Sequence, residues 1–265
     1  MNFIQAVVVE NKPGGTVIGT DLVAKAAPDG HTIALVIPSL AVNPSIMAQL
    51  PYDTVKDLAG VTLISTLPIA LFATPSLPVN NVAELVAYAK KNPKTLSYGS
   101  ARLGSTSHLA GLMLNQLAGV DLVHVPYKGS APAQQDLIGG RLTLLFDSFI
   151  SQLPMVQAGR VKLVAPAGPR RLPGFPDAAP IGDTVKGFNV ESYFGVIAPR
   201  ATPPAVLAQI HQAIKKAMED PAVSSWMATQ GMVPAASTPA QFDAFIQTEK
   251  KKWAAVVKSL GGKIA

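Results

Sequence analysis

Leu96-Ser97-Tyr98-Gly99, Leu122-Val123-His124-Val125 and Leu142-Thr143-Leu144-Leu145-Phe146-Asp147 are short apolar runs, and the first two each lead through a Gly/Ser-rich turn into a stretch with helical spacing. The turns are Ser100–Ser107 and Lys128–Ala131. The helices run from about Ser107 to Leu117 and over Ala131–Ile138, and Gly139-Gly140 ends the second as a C-terminal stop. A strand, turn, helix pattern repeated in this way predicts an α/β fold rather than a block of strands followed by a block of helices.

The same alternation extends outward. Asn81–Asn92 carries Leu85, Val86 and Ala89 on one face and is stopped by Asn92-Pro93, because the residue before a proline avoids the helical region. Gly60–Thr66 and Ala70–Thr74 read as strands. Before them stand a strand Thr32–Ile37 and a Pro-rich loop with a short helix near Ser45–Ala48. Ala6–Glu10 is a β-branched run that reads as a strand, Pro13-Gly14-Gly15 punctuates it, and Thr16–Ala26 follows as a helix. On the other side come a helix near Ser151–Ala158, a strand Val161–Pro166, a polar connection Ala167–Lys186 and a strand Glu191–Ala198. Two long amphipathic helices, Pro203–Met218 and Pro239–Leu260, close the chain, and no repeat of fixed period is present.

Composition narrows the function classes. With 265 residues, 48% hydrophobic and 14% charged, the chain can bury a core large enough to offset the entropy of folding, in one large or two modest domains. The absence of cysteine removes thiolate metal sites, disulfides and cysteine nucleophiles together. The net charge of +6 is scattered, with Lys250-Lys251-Lys252 as its densest group and no interleaved aromatics, so nucleic acid is not an expected partner. Thr32–Tyr52 and Val61–Asn80 are uncharged but broken by prolines, which argues against membrane insertion. Met1–Glu10 has no Lys or Arg ahead of Ala6–Val9 and no small-residue cleavage site after it, so as written it does not read as a signal peptide.

Several chemistries fail on spacing. Gly14–Gly19 sits where a phosphate loop would, yet Thr20-Asp21 replaces the Lys-Ser/Thr pair and Thr16 takes the place of the dinucleotide fingerprint's second glycine. No serine stands in a nucleophile elbow, although Ser105 or Ser107 with His108 and Asp147 can be drawn as a triad. His31, His108, His124 and His211 show no ligand spacing, so no metal and no cofactor are expected. What stands out is the placement of Ser100–Ser107, Lys128–Ala131 and, less sharply, Pro38–Asn43 after strands and before helices. Helix N-termini present unpaired amides and a partial positive charge, and in open α/β sheets ligands sit at the strands' C-terminal ends. These loops fit an anion site equally with ordinary N-caps.

These residues resemble the Bug/TctC family, the extracytoplasmic substrate-binding proteins of tripartite tricarboxylate transporters. The resemblance is carried by Val7–Gly14 with Gly19, by Ala27-Pro28-Asp29-Gly30, and by Gly104-Ser105 with His108-Leu109-Ala110. His124–Ala133, Gly139-Gly140, Phe146-Asp147, Ala158-Gly159, Arg171, Ala198-Pro199, Thr202-Pro203-Pro204 and Trp253 then follow in family order. It implies a periplasmic binding protein type II-like fold of two lobes with a ligand cleft between them. Lobe one would be residues 1–96 plus 191–265, and lobe two 97–190. It further implies a non-enzymatic, periplasmic monomer that binds a small carboxylate (a dicarboxylate, an amino acid or an aromatic acid) and delivers it to the membrane subunits of the transporter. Carried over residue by residue, the ligand contacts would be Gly104, Ser105, Thr106, Ser107, Lys128, Gly129, Ser130, Ala131 and Asp147, with Ser39, Ala41, Asn43 and Phe194 as further positions. Family members carry a strand, Pro/Gly-rich loop and helix ahead of the segment corresponding to Ala6–Asn11, and if Met1 is the true start an open sheet edge is expected. The alternative expectation is therefore a truncated relative that no longer binds and has an interaction role. The chain also carries Ile181-Gly182-Asp183 in the connection, where members usually have a Pro-Thr and Glu-containing stretch.

Overall fold

The structure, a computed structural model, describes residues 6–12 and 16–259. The turn Pro13-Gly14-Gly15 and the end of the last helix at Leu260 lie outside the described residues, as do the first two positions of Gly14–Gly19. The elements are α1 (Thr16–Ala24), β1 (Ala34–Val36), α2 (Ser39–Ile46), β2 (Leu58–Leu67), β3 (Ile69–Ala73), α3 (Val82–Lys91), β4 (Ser97–Ser100), α4 (Thr106–Ala118), β5 (Val123–Pro126) and α5 (Ser130–Ile138). They continue with β6 (Leu144–Ser148), α6 (Phe149–Gln157), β7 (Lys162–Pro166), α7 (Ile181–Thr184), β8 (Ser192–Pro199), α8 (Pro204–Met218), α9 (Pro221–Thr229), β9 (Val233–Pro234) and α10 (Pro239–Ser259).

The chain forms two compact units. One takes the chain up to Leu67 and again from Tyr193, and the other is Pro68–Ser192. The first division falls at Leu67/Pro68 rather than near residue 96 because β3 is the inner strand of the second unit's sheet. It pairs antiparallel with β6 (Leu71↔Phe146) and with β7 (Leu71↔Ala165). That sheet has the order β5-β4-β6-β3-β7, and β4 runs parallel to both β5 and β6. Its three parallel strands therefore end on one side, at Ser100, Pro126 and Ser148. Phe72 of β3, Leu145 of β6 and Leu142 just before it pack in one core with Leu137 of α5 and Phe149 of α6.

The first unit has the order β1-β8-β2-β9. Its core gathers Val36, Leu40, Leu58, Tyr193, Phe242 and Ile246. α10 is tied to β2 by Asp243, whose carboxylate accepts from the Gly60 amide at 2.7 Å and pairs with Arg200 at 2.8 Å.

The anticipated helices and strands form, with informative exceptions. Ala6–Glu10 is not a strand: a strand exists only with a neighbouring ladder, and none meets it among the described residues, so Val7, Val8 and Val9 stand 67%, 79% and 80% exposed. Among the described residues β1 is itself the sheet edge, with Leu35 exposed. The short helix anticipated near Ser45–Ala48 starts earlier, as α2, and contains Pro44. That proline cannot donate to the carbonyl of Leu40, and the buried Thr54 Oγ1 donates to it instead at 3.4 Å. Pro38–Asn43 is thus largely helix rather than loop. α9, capped by Asp220 with Pro221 at its first position, and the short α7 and β9 were not anticipated.

Candidate functional site

The second unit brings together most of the residues singled out from sequence. Ser100–Ser107 joins β4 to α4 and residues 126–131 join β5 to α5, at the same end of adjacent parallel strands. The two loops are bonded to each other: the Tyr127 amide donates to Ser100 O at 2.9 Å, and the Gly129 amide to Ala101 O at 2.8 Å. Gly129 adopts φ 110°, open to glycine without strain, and this sets the chain into α5. Asp147 arrives at the same end on β6.

Ser105 is the N-cap of α4, its Oγ donates to Arg102 O at 2.6 Å, and it accepts from the His108 amide. Ser107 Oγ accepts from the Ala101 amide at 3.1 Å and lies 2.9 Å from Ser105 Oγ. Since the Ser105 hydrogen goes to Arg102, the Ser107 hydrogen goes to Ser105. Ser130 donates its hydrogen to Asp147 Oδ1 at 3.0 Å. Three hydroxyls anticipated as ligand donors are therefore committed within the protein. The amides of Thr106, Ser107, Ser130 and Ala131, in contrast, have no acceptor among the described residues, and Pro132 has no amide hydrogen to add. Two helix starts thus present uncommitted N–H groups side by side, which is what binds a carboxylate without a matched charge.

Charge around these amides is arranged with the same sign. Lys128 and Arg102 are exposed and enter no ion pair among the described residues. The nearest carboxylate, Asp147, is 9% exposed and already accepts from Ser130 Oγ, the Ser148 amide at 2.8 Å and Gln152 Nε2 at 2.7 Å. Its charge is spread over fixed donors, so it acts as a strut for the start of α5. Gln152, 1% exposed, extends the strut by accepting from Gln134 Nε2 at 3.1 Å. Sequence reasoning missed Arg102 and Gln152; a lone amide on the apolar helix face of Phe149-Ile150-Ser151-Gln152-Leu153 was the available signal for the second.

Beneath the first loop, His108 and His124 stack with ring centroids 4.0 Å apart. Burial, and then the neighbouring His124, push the His108 ring down to about 4, and burial lowers His124, so both are neutral at neutral pH. The His108 ring accepts from the Gly104 amide at 3.1 Å rather than from a serine hydroxyl. Ser100 does meet His124, at 2.7 Å, but it is 0% exposed and no substrate reaches it. The paper triad of Ser105 or Ser107 with His108 and Asp147 is not assembled.

The remaining anticipated positions lie in the first unit. Ser39, Ala41 and Asn43 are buried on α2. Ala41 is 0% exposed, Asn43 donates to Thr16 Oγ1 at 3.2 Å, and Ser39 Oγ has no partner among the described residues. Phe194 is half-buried on β8. No described helix is long and apolar enough to cross a membrane.

Residues 2–262 match the family model TctC, the tripartite tricarboxylate transporter family receptor. Protein BugT of Bordetella pertussis is 34% identical over 266 residues, covering 98% of this chain and 81% of BugT. Among solved structures, periplasmic binding protein BugD superposes with a TM-score of 0.80 at 33% identity, over 97% of this chain and 87% of that one. R. palustris Rpa4515 with adipate gives 0.82 at 31%, with the same coverage of both chains. MatC (Rpa3494) from Rhodopseudomonas palustris with bound malate gives 0.76 at 29%, over 92% and 84%. The α/β fold is that of the periplasmic binding proteins of this group.

Proposed function

This chain belongs to the tripartite tricarboxylate transporter receptor family, and from that premise we propose that it binds a small organic carboxylate at the paired starts of α4 and α5. The observation that carries the reading is the set of uncommitted amides at Thr106, Ser107, Ser130 and Ala131. A carboxylate has two oxygens and about four lone-pair directions, and two neighbouring helix N-termini supply fixed donors for them without a conformational cost at the moment of binding. Thr106 adds a hydroxyl that nothing described has claimed, and Lys128 with Arg102 supplies long-range attraction for an anion.

Dicarboxylates come first among the candidates, because relatives of the same fold hold adipate and malate; amino acids and aromatic acids follow. The proposed role is that of a periplasmic, monomeric receptor that performs no chemistry on its ligand, needs no cofactor and hands the acid to the membrane subunits of the transporter. Calorimetric titration with adipate, malate, glutamate, benzoate and the neutral diamide of adipate tests it. Saturable heat with at least one diacid and none with the diamide is expected. Silence across all acids from the folded chain would overturn it in favour of a relative that has lost binding.

A further inference from the structure

The β4–α4 loop is held from below by side chains packed under it. α-Helical side chains lean toward their own N-terminus, so His108, one turn into α4, reaches back to the loop that leads into it. Its Nδ1 lies 3.1 Å from the Gly104 amide, where Gly104 turns through φ 71°. Because Nδ1 accepts, the neutral ring carries its proton on Nε2. His124 on β5 stacks on this ring and meets Ser100 Oγ at 2.7 Å, and Tyr98 on β4 packs on His124 at 5.0 Å. The Tyr98 hydroxyl donates to His108 O at 3.4 Å. The loop is thereby pinned at both ends, at Ser100 through His124 and at Gly104 through His108, and Thr106 and Ser107 follow immediately.

Resting on the carboxylate reading above, we propose that His108 is a positioning residue. As a neutral acceptor for Gly104 it holds the first amides of α4 on the ligand, with His124 as its backing. A buried aromatic of similar size fills the space without accepting, whereas asparagine places an oxygen near the position of Nδ1 without the stack. The acceptor and the packing can therefore be separated.

His108→Phe and His108→Asn are compared with the parent chain by adipate titration and by hydrogen exchange at the Gly104 amide without ligand. The proposal expects His108→Phe to lose Gly104 protection and to weaken binding by about tenfold or more, and His108→Asn to keep both within about threefold. It is overturned if His108→Phe binds like the parent with Gly104 still protected, or if His108→Asn fares no better than His108→Phe. Should the parent chain bind no acid, the carboxylate reading fails by itself, and Gly104 exchange still decides the brace. Protection lost in His108→Phe and kept in His108→Asn supports it, and equal protection in both overturns it.

Discussion

Asp147→Ala is expected to lower unfolding stability by about 3 kcal/mol and to weaken carboxylate binding at least about tenfold. The carboxylate accepts from Ser130 Oγ, the Ser148 amide and Gln152 Nε2, and Ser151 Oγ lies at 3.4 Å. Alanine removes the acceptor of Ser130 Oγ, the Ser148 amide and Gln152 Nε2, while Ser151 Oγ keeps its bond to Ser148 O at 2.8 Å. Gln152 is almost fully buried and cannot turn to water, so its amide bears the full desolvation cost. The binding loss follows because Ser130 is the first residue of α5, and its link to Asp147 is what fixes that helix start beside α4. Loss of negative charge acts the other way, since a carboxylate near the site repels an anion. In a partly hydrated site this is worth about 1 kcal/mol and is outweighed by the misplaced donors. Urea unfolding and adipate titration of the variant check both numbers. A variant as stable and as tight as the parent would remove Asp147 from the role of strut.

Trp253→Ala is expected to cost about 3 to 5 kcal/mol, as removal of a fully buried indole does when the core cannot close around the gap. Trp253 is 0% exposed and its Nε1 donates to Glu249 Oε2 at 3.0 Å. Glu249 is itself 8% exposed and bonds Lys252, so the variant also leaves part of a buried carboxylate without a donor. α10 packs on α2 and β2, so hydrogen exchange should rise through those elements. The second unit has its own core, and the β4 and β6 amides should stay protected. A uniform rise across both units would show that they unfold as one.

Much of this was legible in the sequence because it is local. The strands ending at Ser100 and Pro126 and the helices after them are punctuated by Gly and Ser, and at the start of α3 Asn81 accepts from the Glu84 amide while Glu84 accepts from the Asn80 amide, a local cap. What was not legible is long-range. The placement of β3 between β6 and β7 depends on a pairing with no local signature, and it moves residues 68–96 into the second unit. Pro38 and Pro44 read as breakers, yet α2 continues through Pro44, and Thr54, supplied from elsewhere in the chain, donates to the Leu40 carbonyl that the proline leaves open. Ala6–Glu10 has strand composition but no ladder among the described residues. At the site, Ser100–Ser107 and Lys128–Ala131 stand out by their pattern and Asp147 by the family resemblance, and the three lie at one end of the same sheet. That pattern could not say which hydroxyls are committed internally, because hydrogen direction depends on Arg102 O and Asp147 Oδ1, both fixed by tertiary structure. His108 and His124 likewise meet only because α4 and β5 both pack on β4.

The most direct test is amide NMR of the labelled chain during titration with adipate. Carboxylate oxygens seated on uncommitted donors pull their amide protons downfield, so the predicted result is saturable downfield movement of Thr106, Ser107, Ser130 and Ala131 together, with Gly104 and Gly129 little changed because their amides are already bonded within the protein. Saturable binding that leaves those four amides unmoved would contradict the placement of the ligand at the starts of α4 and α5.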